Sequence, residues 1–169
     1  MDSAALASPA NVSPAPITVA QLRDAQKFNL AVGAGIGAAL LGAILWAVVT
    51  VVTKMELGLV AVAVGYLVGR AVRAAGHGID PKFGYLGAVC ALLGCVLGNI
   101  LGDIGFYADA MKLGYGDALA RMDLALLERL IAAFFKPMDV LFYGIAIYEG
   151  YKFSFKYKVL KPPPATPAN

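Results

Sequence analysis

Histidine occurs once in this chain and cysteine twice, and charge is scarce: Lys, Arg, Asp and Glu make up 15% of the 169 residues. An ordinary soluble domain is about a quarter charged, so the shortage argues against a surface bathed in water. The single histidine, His77, excludes a histidine-rich metal box, and no Ser/His/Asp or Cys/His set can be assembled around it. Cys90 and Cys95 stand five apart inside an apolar run. That spacing fits neither a CxxC redox pair nor a zinc ribbon, so both read as small buried residues. No catalytic residue, metal ligand or cofactor is therefore expected. Gly33-Ala34-Gly35-Ile36-Gly37 resembles a nucleotide loop only superficially, because it follows no strand and lies within an apolar run. The net charge of +3 is small, and basic residues flank the apolar runs without interleaving aromatics, which argues against nucleic acid as a partner.

What the chain has in excess is apolar sequence: 60% of residues are hydrophobic and the mean hydropathy is +0.73. These residues are gathered into long runs, so the solvent that accommodates them is lipid. The expected fold class is all-α, an integral membrane helical bundle of about four transmembrane helices with one amphipathic interfacial helix. Residues 28–53 carry no charge and would extend about 39 Å as a helix, more than the roughly 30 Å hydrocarbon layer. That is far too long for a signal-peptide core. Lys54, Met55 and Glu56 separate this run from the next, 57–75, so the two form a tight antiparallel hairpin. Arg70 and Arg73 close the second run and can snorkel. Glycines and Pro81 in the loop 76–82 stop the helix, with Gly76-His77-Gly78 as the stop signal. The third run is 83–101.

Beyond it the pattern changes. Over 117–135, Leu119, Met122, Leu126, Leu130 and Ala133 recur at helical spacing among charges, the signature of an amphipathic helix at the membrane surface. Pro137 breaks it and Asp139 can cap the next helix. In the last run, 138–155, Glu149 and Lys152 leave a charge-free core of only roughly 15 Å. It crosses with help from 130–135, or it does not cross. Tyr143, Tyr148, Tyr151, Phe153, Phe155 and Tyr157 are assigned to an aromatic belt at its far end. The Ala/Ser/Pro-rich segment 1–17 and the Pro-rich segment 161–169 are expected to be disordered tails flanking a helical domain at 18–160. Four spans place nine Lys and Arg on the side of the termini and five on the other. The positive-inside rule then puts both termini in the cytoplasm and the chain in the inner membrane.

Within the runs, small residues recur every four positions: Gly35, Ala39 and Ala43 in the first, Gly65 and Gly69 in the second, Gly94, Gly98 and Gly102 in the third. Such stripes let helix backbones approach closely in lipid, either inside one chain or between chains, as in a homo-oligomer or a complex with a membrane-protein partner. Polar groups in membrane runs are functional candidates by default. Asn99 and Asp103 share one face beside the glycine stripe, with Asp103 expected at the far membrane surface and Asn99 about one turn deeper. Glu149 is expected near the opposite interface, bonded to Lys152 or a tyrosine.

The segments Gly42-Ala43-Ile44-Leu45-Trp46-Ala47, Gly65-Tyr66-Leu67-Val68-Gly69-Arg70-Ala71-Val72-Arg73 and Phe83-Gly84, with the stretch 139–152, resemble a group of uncharacterised bacterial multi-pass membrane proteins. The likeness covers roughly residues 28–154. It implies a bundle of about four membrane helices and carries no activity or site residues to transfer. The sequence thus points to a non-enzymatic membrane protein, a scaffold or accessory subunit acting through helix packing. The alternative is a small oligomeric transporter or channel built on the polar residues of the third helix.

Overall fold

A computed structural model describes residues 18–54, 58–134 and 136–155. Both expected tails, residues 55–57 of the first turn and Tyr157 of the aromatic group lie outside them. All regular structure among the described residues is helical: α1 (Val19–Asp24), α2 (Phe28–Thr53), α3 (Leu59–Gly76), α4 (Pro81–Ala110), α5 (Tyr115–Ala120), α6 (Leu124–Phe134) and α7 (Pro137–Phe153). Local chemistry sets the boundaries. Thr18 and Gln21 exchange side-chain hydrogen bonds with each other's backbone N–H at the start of α1. Pro81 and Pro137 begin α4 and α7, where a missing N–H costs nothing. The Lys136 N–H is taken by the Asp139 carboxylate at 2.8 Å. Lys54 and His77 terminate α2 and α3 in the left-handed region (φ 56° and 49°). In the stop signal it is thus the histidine that turns the chain. Gly76 serves packing instead, since a Cβ there would fall 2.6 Å from the Phe83 ring and 2.7 Å from the Ala31 methyl.

Three helices, α2, α3 and α4, are each long and apolar enough to cross a membrane. The 17 residues of α7 make a shorter rod of about 25 Å, and α6 meets it at a bend of 95°. Helices α3 and α4 pack against each other and both touch α2 and α7, whereas α2 and α7 stay apart. The section is a rhombus with α3 and α4 on its short diagonal. Its direction is legible in the contacts: Gly65 meets Ala146 and Gly69 meets Gly150, so α7 runs parallel to α3. Gly84 meets Tyr151 while Asn99 meets Tyr143, so α7 runs antiparallel to α4.

The core explains the small-residue stripes. Gly35, Ala39, Ala43, Gly65, Gly69, Gly94, Gly98 and Gly102 are all buried within the single chain. A Cβ on Gly65 would sit 2.5 Å from the Ala146 carbonyl oxygen, and one on Gly150 would sit 2.6 Å from that of Gly87. Helix α7 therefore lies backbone to backbone on both neighbours. Val64, Val68 and Val72 of α3 fill the centre with Trp46, Phe83, Cys90 and Cys95.

Two boundaries and the place of one aromatic residue differ from the sequence reading. The third run continues nine residues past Leu101, to Ala110, because Gly102 packs on Thr50 and Gly105 on Val51 of α2 instead of ending the helix. The amphipathic stretch is two helices, broken at 121–123, where Asp123 accepts from the Leu126 N–H at 2.7 Å to restart the chain as α6. Tyr143 is half-buried along α7, packed against the core and bonded to Asn99, while Tyr151 and Phe155 stack edge to face at the other end of α7, over the start of α4.

Candidate functional site

Helix α4 carries two registers on adjoining faces, and they meet different partners. Gly98 and Gly102 receive α2: a Cβ on Gly98 would lie 2.9 Å from that of Trp46, and one on Gly102 would lie 3.2 Å from the Thr50 methyl. One residue on, Asn99 reaches α7, where its side-chain amide donates to the Tyr143 hydroxyl at 2.5 Å. Asp103, one turn further along α4, is buried at 9% exposure. Four polar side chains, Trp46, Thr50, Asn99 and Asp103, thus gather with Tyr143 in one stretch of the bundle.

The site is enclosed. Trp46 and Thr50 are each 3% exposed, and the Trp46 Nε1 and the Thr50 Oγ1 have no hydrogen-bond partner among the described residues. An amide, a phenol, a hydroxyl, an indole and the Asp103 carboxylate offer hydrogen bonds to one another or to a small polar ligand. No group of three metal-ligating side chains forms among the described residues. Cys90 and Cys95 are free thiols buried among α2, α3 and α4. What the arrangement does is pin α4 to α7, since Asn99 and Tyr143 are 44 residues apart in sequence.

An ion pair marks the nearer end of the bundle. Lys54, just past α2, meets Asp109 near the end of α4 at 2.7 Å, both side chains more than half exposed. Along α4, Asp103 lies six residues in from Asp109, about 9 Å, and Asn99 about 15 Å. Asp103 is therefore inside the bundle and not at its rim, because α4 is longer than the apolar run that announced it. Glu149 sits apart from this cluster, half-buried on α7 where that helix crosses Gly69. Lys152 is directed at the rings of Tyr148 and Phe153, 5.2 and 5.6 Å from their centroids.

At the opposite end a second polar group ties the N-terminal segment to the bundle. Asp80 accepts from the Gln26 amide at 2.9 Å and from Arg23 Nε at 3.2 Å. The Lys27 N–H donates to the Gly76 carbonyl at 2.9 Å. The Gln26 hydrogen bond, with help from Arg23 and Lys82, holds the Asp80 carboxyl below its usual range, outweighing the desolvation that pushes it up.

Sequence reading found Asn99 and Asp103 but not Trp46, Thr50 or the role of Tyr143. For Thr50 a signal existed, one of only two hydroxyls in the run 28–53 and four residues from Trp46. For Tyr143 none did, because its partner comes from a helix distant in sequence. Compared with known protein families, curated proteins and solved structures, the chain matches none.

Proposed function

We propose that this chain is a non-enzymatic multi-pass protein of the inner membrane, crossing it four times with both termini in the cytoplasm, and that it works as a scaffold or accessory subunit. The observation that carries this reading is the closure of the bundle on itself. All eight stripe residues are used within one chain, which leaves an outer surface of large apolar side chains such as Leu40, Leu41, Ile44 and Val48 for lipid or a membrane partner. Helix α7 as the fourth crossing is supported by its parallel course beside α3 and by the aromatic group at its end. Its 25 Å leave a few ångströms of mismatch, which local thinning of the bilayer accommodates. The clustering of nine Lys and Arg on one side supports that orientation.

The polar cluster favours a second reading, a small transporter or channel, because buried polar groups in membrane helices commonly mark pathways. One experiment separates the two. Asn99 and Asp103 are replaced together by Leu, and ion flux is measured in vesicles holding the folded protein. Unchanged vesicle permeability, with native partners still crosslinking to the variant, supports the scaffold. Loss of a flux that the parent chain carries would overturn it.

A further inference from the structure

Two polar atoms of α2 take no part in the bonds that hold the bundle. The Trp46 Nε1 and the Thr50 Oγ1 belong to buried side chains and have no hydrogen-bond partner among the described residues. Leaving such groups unpaired costs their full desolvation. Thr53 and Ser154 show the ordinary alternative, since each hydroxyl donates to the carbonyl four residues back, that of Val49 at 2.7 Å and that of Gly150 at 2.5 Å. Thr50 has the Trp46 carbonyl at the same spacing and does not bond it. Its methyl rests on Gly102, whose Cβ position lies 3.2 Å from Cγ2 and 3.9 Å from Oγ1, while Trp46 meets Gly98 through Cβ, Cγ and Cδ2. Carbon makes the contact with α4, and the nitrogen and the oxygen are left for something else.

The chemistry of the two groups selects their partner. An indole N–H only donates, whereas a hydroxyl donates and accepts, so the guest must offer an acceptor lone pair. A cation is excluded at Nε1, which has no lone pair to give, and an anion would share this stretch with the Asp103 carboxylate, one residue beyond Gly102. A small neutral molecule remains. Trp46 and Thr50 are neighbours on one face of α2, their Cβ atoms about 5–6 Å apart, which is the span of two hydrogen bonds of about 2.9 Å laid end to end. Entry is short: along α2, Thr50 lies about 6 Å and Trp46 about 12 Å from Lys54, whose side chain is more than half exposed at the rim. On the inner side, Val64 packs 3.0 Å from the Cβ positions of both Gly42 and Gly94, and the core from there on is apolar. We propose that Trp46 and Thr50 form a binding site for a water molecule, which accepts from the indole N–H and bonds the Thr50 hydroxyl. The inference stands whether the chain is a scaffold or a transporter.

Trp46 is the single tryptophan, so its indole N–H can be read alone. The full chain, carrying isotopically labelled tryptophan in deuterated detergent, is examined by NMR for magnetisation transfer from water to the indole proton, and by ultraviolet resonance Raman for the band that reports hydrogen bonding at Nε1. The parent should show a water cross-peak and a bonded indole. Thr50→Val, which puts a methyl where the hydroxyl stands, should lose the cross-peak and shift the Raman band to that of a free indole. Thr50→Ala, where a second water can replace the hydroxyl, should keep both signals, and their loss there would mean a direct bond from indole to hydroxyl and overturn the proposal. Should Thr50→Val fail to fold, the parent and Thr50→Ala decide. A free indole in the parent, a bonded indole without transfer from water, or a folded Thr50→Val protein with the parent's spectra would each overturn the proposal as well.

Discussion

Gly65→Ala is the substitution with the most to say about how this bundle is held. In lipid no hydrophobic effect drives one helix onto another, so close backbone contact has to do the work. The new methyl would lie 2.5 Å from the Ala146 carbonyl oxygen and 2.8 Å from its Cα, where ordinary contact begins at 3.4 Å. The shortfall is about 0.9 Å, and because the obstructing atoms are backbone they cannot rotate aside. Helices α3 and α7 must part, and a gap of 0.5–1 Å already forfeits about a quarter to a half of each van der Waals well. Overpacking of this kind costs about 3 kcal/mol at its upper end, and alanine's better helix propensity offsets about 1 kcal/mol. The net loss is about 2 kcal/mol, or a fall in Tm of roughly 4–8 °C for a chain of this size. The protein supplies its own probe, since Cys90 and Cys95 are 3% and 0% exposed. A thiol-reactive dye in detergent should label them only as the bundle opens. Gly33→Ala is the matched control, with nothing within 4 Å of the added methyl, and it should melt at or slightly above the parent. A Gly65→Ala protein as stable as the Gly33→Ala control would refute the idea that α7 is held by backbone approach.

The same contacts set other outcomes. In a double-mutant cycle, Asn99→Leu and Tyr143→Phe should couple by about 0.6–1.7 kcal/mol, the range for hydrogen bonds between membrane helices; additive losses would mean that the 2.5 Å contact holds nothing. Because the Asp80 carboxyl is held below its ordinary value of 3.8, its contribution is complete above that value and is lost as pH falls through the lowered pKa. Hydrogen-exchange protection of residues 19–26 should accordingly drop on acidification below 3.8 and be low already at neutral pH in Asp80→Ala. Gly150→Ala, whose methyl would fall 2.6 Å from the Gly87 carbonyl oxygen, should destabilise as much as Gly65→Ala in the same thiol assay, whereas Gly144→Ala, with open space around it, should not.

The apolar runs made three helices legible, because nothing but a helix satisfies so long a stretch of backbone in lipid. Where those helices end was harder to read. Gly102, Asp103 and Gly105 look like a terminus, yet in α4 the glycines are points of close packing against α2 and the helix runs on to Ala110. The break at 121–123 has no glycine or proline to announce it; the Asp123 cap was its only sign, and charge was common around it. At the candidate site, periodicity put Asn99 and Asp103 beside the glycine stripe, which is where they lie. Their depth depended on the length of α4, and their partner on the approach of α7. Neither is a local property of the sequence. The same holds for Asp80, whose partners Arg23 and Gln26 are 57 and 54 residues away.

Four crossings with α7 as the last require positions 112 and 158 to lie on opposite sides of the bilayer. Single cysteines are placed at Lys112 and at Lys158 in a chain carrying Cys90→Ala and Cys95→Ala, and each is tested in oriented membrane vesicles with a thiol reagent that cannot the bilayer permeate. Residue 158 should react only from the cytoplasmic side and residue 112 only from the other. Labelling of both from the same side would rule out α7 as a fourth crossing.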